Sequence, residues 1–183
     1  QTAEDLACKY LNLSSIRLLD CVVGPQTGAT KLAEFLAAKF TELLGWQVVW
    51  CSPAKFQEGG VKKMIIDDVD HPIIERGLHL MCDDVISTAS SVGLASDLVI
   101  SNGGYVLPEL VCLVDRSALK DREVISLIKH PVPQWKPEEC PLCKQGSKPI
   151  KPKKSPENRA LLTGKKTYNQ RARERIMESI SGV

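Results

Sequence analysis

From residue 18 onward, short apolar runs alternate with stretches of helical spacing. That alternation is the signature of βαβ units, in which helices cover a mostly parallel sheet. Residues 18–24 predict the first strand. Over 28–44, Leu32, Leu36, Phe40 and Leu43, joined by Ala29 and Ala33, keep a three-and-four spacing that makes one helix face apolar, and Gly45 ends the helix. A second strand is predicted at 47–51. The stretch 52–62 holds Pro53, Gly59 and Gly60 and reads as a mobile polar loop. Residues 63–66 and 73–75 then predict an antiparallel pair across a turn at 67–72. A buried strand at 78–82 feeds a helix over about 91–102, which Gly103 and Gly104 stop. The last strands are predicted at 106–114 and 124–128, and a first helix at 3–11.

Beyond residue 130 the pattern changes. Four prolines between 131 and 141, and three more up to 156, predict an extended segment, with a charged helix over 167–180. The chain therefore divides into an N-terminal helical segment (1–17), an α/β core (18–130) and a Pro/Lys-rich C-terminal extension (131–183). Charge follows the same division. Residues 1–128 carry 11 Lys/Arg against 17 Asp/Glu, a net of −6, whereas 129–183 carry 13 against 5, a net of +8. A basic tail fits nucleic acid, a solvated arm or a subunit contact, and its few aromatics place nucleic acid second. No apolar run approaches the roughly 18 residues of a membrane-spanning helix, and no basic-then-apolar leader opens the chain, so the expected place is the cytosol.

Seven cysteines are an odd number, and Cys21, Cys51, Cys82 and Cys112 sit in or beside apolar runs, as reduced core residues do. Cys140 and Cys143, in CPLC, have the spacing of half a zinc site. The other half is absent unless His130 or a second subunit supplies it, so on ligand count they read as a structural turn of two reduced thiols ahead of a zinc site or a redox pair. Asp67, Asp68, Asp70 and His71 read as a solvated turn before Pro72, and Trp46, Trp50 and Trp135 as packing or interface residues.

The stretch 80–92, LMCDDVISTASSV, runs from a buried strand through Asp83 and Asp84 into small hydroxyl residues that begin a helix. Unsatisfied N–H groups and hydroxyls at a helix start hold a phosphate, and carboxylates just before them accept from vicinal sugar hydroxyls. Asp67 and Asp68 show how readily an acid pair arises by itself; only the second pair precedes a hydroxyl-rich helix start. A second strand-turn-helix, 20–29 (DCVVGPQTGA), again offers backbone N–H groups to an anion. A third stretch, 111–116 (VCLVDR), ends a strand in Asp115 and Arg116, whose planar fork suits a carboxylate or carbonyl pair.

Together these stretches resemble the type I phosphoribosyltransferases, most nearly the orotate enzymes of a branch that carries a C-terminal Cys-Pro-x-Cys segment. The resemblance spans roughly 18–146 in the family's order. It implies a parallel sheet flanked by helices, with a short N-terminal region and an extended tail. It implies that Asp83 and Asp84 hold the ribose hydroxyls of phosphoribosyl diphosphate (PRPP), that Ser87, Thr88, Ala89, Ser90 and Ser91 cradle its 5′-phosphate, and that Thr27, Gly28 and Ala29 form the pyrophosphate loop. Arg116 would lie near the base, and Lys55, Lys62 and Lys63, on a loop over the diphosphate, would be the catalytic cations. At Ala89 and Ser90 the family usually has glycine.

By the same resemblance, pyrophosphate leaves C1 of PRPP as a ring nitrogen of orotate attacks, in a homodimer. Mg²⁺ would be held largely by the diphosphate and water, with Asp83 and Asp84 in support, and by no site of the protein alone. Two other functions fit the same residues: a purine phosphoribosyltransferase, and a PRPP-binding regulator with weak or no turnover.

Overall fold

The computed structural model describes residues 1–15, 18–117, 119–120, 122–136, 138–147, 150 and 155–164. Two compact units result, Gln1–Val132 and Pro133–Val183. In the first, helix α1 (Thr2–Leu13) precedes strand β1 (Cys21–Val23), helix α2 (Thr30–Leu44) and strand β2 (Val49–Cys51). Strands β3 (Ala54–Glu58) and β4 (Val61–Ile65) follow, then a 3₁₀ turn (Asp68–Asp70) and a short helix α3 (His71–Ile74). Strand β5 (Leu78–Ile86), helix α4 (Ser90–Ser101), strand β6 (Tyr105–Asp115) and strand β7 (Val124–Lys129) complete it.

Five strands make one parallel sheet in the order β2-β1-β5-β6-β7. Because side chains alternate across a strand, its apolar residues divide between two cores. Val22, Leu80, Cys82 and Val111 pack with Leu36 and Phe40 of α2 and with Leu6 and Tyr10 of α1. Cys21, Val23, Met81, Leu110 and Cys112 pack with Val92, Ala95 and Val99 of α4. Tyr10 meets Phe40 edge to face, with ring centroids 5.4 Å apart. Polar contacts also fasten α1: Lys9 Nζ donates to Ser126 O at 2.6 Å, and Ser14 Oγ to the buried Glu109 at 2.7 Å. Pro108 sits inside β6, and the β5–β6 register shifts between His79 and Met81, the irregularity a strand proline needs.

Two sequence expectations are corrected. Residues 52–62 are no open loop: β3 and β4 pair antiparallel, Ala54 opposite Ile65 through Glu58 opposite Val61. The two-residue turn between them is Gly59 and Gly60, with φ of 56° and 82°. Two successive positive φ values match the twist of a tight hairpin, and glycine adopts them without a Cβ clash. The expected pairing of 63–66 with 73–75 does not form. His71, Pro72 and Ile73 belong to the short helix, where Pro72 in the first turn supplies a helical φ and needs no partner for the N–H it lacks.

The second unit holds two described helices, α5 (Pro141–Lys144) and α6 (Pro156–Thr163), the latter capped by Ser155, whose Oγ accepts from Asn158 N at 3.2 Å. The expected helix over 167–180 lies outside the described residues. Among the described residues no helix is long and apolar enough to cross a membrane.

Candidate functional site

In an open α/β sheet, ligands bind beyond the carboxyl ends of the strands, where the strand order reverses. Here that point lies between β1 and β5, since β1 leads to β2 on one side and pairs with β5 on the other. A cavity of about 570 Å³ opens there. One wall is Pro25, Gln26, Thr27 and Gly28, following β1. Asp83, Asp84 and Val85 of β5 make the other, with Ala54 and Lys55 of β3 and Ser91 of α4 around them.

The loop after β1 is tightly held. Gly24 N donates to Cys51 O at 3.1 Å, and Gln26 N to Pro53 O at 2.9 Å. Ser52 Oγ donates to Gly24 O at 2.7 Å and so, its hydrogen spent, accepts from Thr30 Oγ1 at 2.7 Å. Gln26 Nε2 reaches Ser52 O at 3.1 Å. Ser52 thus locks the loop to the end of β2, a role that only its position after a strand hinted at. A Cβ on Gly28 would lie 2.6 Å from Asp84 Oδ2, so glycine is what lets the loop and the acid meet. Ala29, expected in the ligand loop, is fully buried, and its N–H goes to Pro25 O at 3.3 Å. It supports the turn from within.

Asp83 and Asp84 lie inside β5, not after it, at its carboxyl end, where both line the cavity. Asp84 faces Gly28. Asp83 is pushed up to about 6 from 3.8, first by burial and then by its bond with Asp84, while Lys55 pulls the other way. Two carboxyl groups crowded at one end of a half-buried strand store electrostatic cost that sugar hydroxyls or a cation relieve.

Ser87, Thr88, Ala89, Ser90 and Ser91 lead from β5 into α4. Thr88 Oγ1 and Ser90 Oγ are 3.1 Å apart, and Ser91 Oγ accepts from Lys55 Nζ at 2.5 Å. Ala89 is the N-cap, with φ 54° and ψ 14°, the sole non-glycine positive φ among the described residues. A left-handed alanine costs about 1–2 kcal/mol. Ala89→Gly is therefore expected to stabilise the fold by about 0.5–1 kcal/mol, after glycine's larger unfolded-state entropy is counted. Thermal denaturation checks it, and an unchanged or lower midpoint contradicts it.

The three lysines separate. Alternation on the hairpin puts Lys55, Gln57 and Lys62 on one face and Lys63 on the other. Lys55 enters the cavity. Lys62 lines a neighbouring cleft of about 340 Å³ with Lys55, Phe56, Ser90, Ser91 and Leu94. Lys63 pairs instead with Glu58 at 2.7 Å, away from the acids. Arg116 is exposed and outside the cavity lining, yet its backbone is fixed beside the site: its N–H donates to Ile86 O at 2.8 Å. The turn around it is held by buried Asp115, which accepts from Ser117 N at 2.8 Å and Ser117 Oγ at 2.6 Å. Pro25, Gln26, Ala54 and Val85 line the cavity without having been singled out in the sequence.

Among the described residues no group of three or more His, Cys, Asp or Glu gathers to hold a metal. Asp68, Asp70 and His71 lie in the 3₁₀ turn and the helix that follows it.

No protein-family model matches the chain. It is 41% identical over 140 residues to an orotate phosphoribosyltransferase of Heliobacterium modesticaldum, covering 75% of this chain and 67% of that protein. It is 29% identical over 145 residues to the orotate phosphoribosyltransferase of Caldanaerobacter subterraneus, covering 73% of this chain and 66% of that one. The chain thus spans about two thirds of the length of these relatives. Among solved structures, an adenine phosphoribosyltransferase of Thermoanaerobacter pseudethanolicus superposes with a TM-score of 0.50 at 22% identity, over 70% of this chain and 77% of that one. The parallel sheet flanked by helices is that fold.

Proposed function

Since the chain belongs to the orotate phosphoribosyltransferase family, we propose that it transfers phosphoribose from PRPP to orotate and releases pyrophosphate. The observation that carries this reading is the meeting of the Gly28 loop, the Asp83 and Asp84 pair and the start of α4 around one cavity. Those three elements match the three parts of PRPP: diphosphate, ribose hydroxyls and 5′-phosphate.

Displacement at C1 builds positive charge on the sugar and negative charge on the leaving diphosphate, so the protein's work is electrostatic and positional. Asp83 and Asp84 accept from the ribose hydroxyls and fix the ring. The N–H groups of Thr27 and Gly28, which line the cavity, are left to face the departing diphosphate, since Pro25 has none and that of Gln26 is held by Pro53 O; Lys55 is poised on the hairpin above. The first N–H groups of α4 and the hydroxyls of Ser87, Thr88, Ser90 and Ser91 take the 5′-phosphate. Lys55, which donates to Ser91 in the free protein, is released toward the diphosphate once phosphate occupies the helix start. Arg116, held beside Ile86, offers its guanidinium to the anionic base.

The crowded carboxyl pair, with Asp83 raised to about 6, suits a divalent cation. Mg²⁺ held by the diphosphate and supported by Asp83 and Asp84 would neutralise leaving-group charge. A cytosolic homodimer goes with this reading.

The test is release of pyrophosphate from PRPP and Mg²⁺ in the presence of orotate, adenine or hypoxanthine in turn. Orotate alone should be consumed. PRPP binding in calorimetry without consumption of any base would make the protein a regulator, and consumption of a purine would reassign its substrate.

A further inference from the structure

Cys140 and Cys143 stand apart from the four core thiols, and unlike the partly exposed Cys8 they lie three residues from each other. Cys21, Cys51, Cys82 and Cys112 are buried, and burial leads the causes that push Cys82 well up and Cys112 to about 12. Cys140 and Cys143 are half-exposed. They flank Pro141 and Leu142, and the backbone N–H of Cys143 donates to Cys140 Sγ at 3.4 Å. The turn that carries them is pinned: Lys144 N bonds Cys140 O at 3.1 Å, Gly146 N bonds Cys143 O at 3.0 Å, and Ser147 N bonds Leu142 O at 3.0 Å. Gly146, at φ 84°, lets the chain turn away after the second cysteine.

We infer that Cys140 and Cys143 are a redox-active dithiol that closes to an intramolecular disulfide by exchange with a small-molecule disulfide. The spacing needs no third residue, whereas a zinc ion would need two further ligands, and none gathers here among the described residues. The two sulfurs are also inequivalent. The Cys143 N–H and thiol both bond to the Cys140 sulfur, which holds Cys140 below the ordinary thiol range and Cys143 above it. Cys140 is therefore the attacking thiolate and Cys143 the thiol that follows.

In the first step the Cys140 thiolate attacks one sulfur of the small disulfide. A Cys140–S–S–R bond forms, the R–S–S–R bond breaks, and the leaving thiolate takes a proton from water. Cys143 then gives its proton to water and attacks the Cys140 sulfur, forming the Cys140–Cys143 bond and expelling the second thiolate, which is protonated in turn. The protein loses two electrons and two protons, and one disulfide becomes two thiols.

The full chain, equilibrated in buffers of oxidised and reduced glutathione and then alkylated, should yield a 140–143 peptide lighter by two hydrogens and carrying no alkyl group. Cys143→Ser should accumulate a glutathione adduct at Cys140 about tenfold faster than Cys140→Ser does at Cys143. Alkylation of the wild-type chain, followed peptide by peptide against pH, should show Cys140 reacting at lower pH than Cys143, and this needs no variant. Equal adduct rates in the two variants, a dithiol that survives excess oxidised glutathione, or retention of one zinc ion per two chains through gel filtration would each overturn the proposal.

Discussion

Asp83→Asn combined with Asp84→Asn abolishes PRPP binding in calorimetry and, above pH 6, raises the thermal midpoint. The two effects have one origin. Each carboxylate that accepts from a sugar hydroxyl contributes about 1.5–3 kcal/mol, so losing both weakens binding at least about 100-fold. In the free protein the same pair is crowded, and Asp83 stands at about 6 instead of 3.8. The folded state therefore holds this proton more tightly than the unfolded chain does. Stability is full below about pH 4 and is lost as pH rises through about 6, by about 1–2 kcal/mol with solvent screening allowed. Asparagine does not ionise, so the variant's advantage is absent at pH 4 and complete above pH 6. Unchanged PRPP affinity would show the site to be elsewhere. A variant that loses stability as well as binding would mean the acids serve the fold.

Gly28→Val should be the most damaging single substitution in the cleft. Its Cβ would lie 2.6 Å from Asp84 Oδ2 and 2.8 Å from the carboxyl carbon, and valine adds two methyl groups beyond that. Either the loop retreats or Asp84 turns away, and each parts the Gly28 wall of the cavity from the Asp84 wall. Overpacking of this kind costs about 1–3 kcal/mol, read as a 10- to 100-fold fall in kcat/KM. Gly28→Ala should lie between wild type and valine. Full activity in the valine variant would show that the Gly28–Asp84 contact does not matter to turnover.

Much of this architecture is visible in the residues. The alternation of Val22, Leu80 and Cys82 against Cys21, Val23 and Met81 marks a sheet covered on both faces, and the hydroxyl-rich run after Asp84 marks a helix start. Gly59 and Gly60 were harder to read. The same pair serves a flexible loop or a tight turn, and only the pairing of 54–58 with 61–65, whose alternation is weak among Lys55, Gln57, Lys62 and Lys63, separates the two. That ambiguity is why three lysines looked equivalent. Once a strand runs through them, alternation sends Lys63 to Glu58. Ala89 was visible as a missing glycine, but its left-handed backbone is a property of the turn and not of its side chain. Ser52 and Arg116 depend on contacts 28 and 30 residues away, to Gly24 and Ile86, which no local pattern encodes.

The reversal of strand order between β1 and β5 makes the cleft a seam between two halves of the sheet. One wall, which would face the diphosphate on the proposed reading, hangs on β1 and is braced by β2 through Ser52; the other, which would face the sugar, hangs on β5 and is braced by β6 through Arg116. The pairing of β1 with β5 joins the halves along the strands, and beyond the strand ends Gly28 meets Asp84. On the proposed reading, leaving-group affinity and base preference would be separately adjustable by substitution, so long as Gly28 keeps its close approach to Asp84.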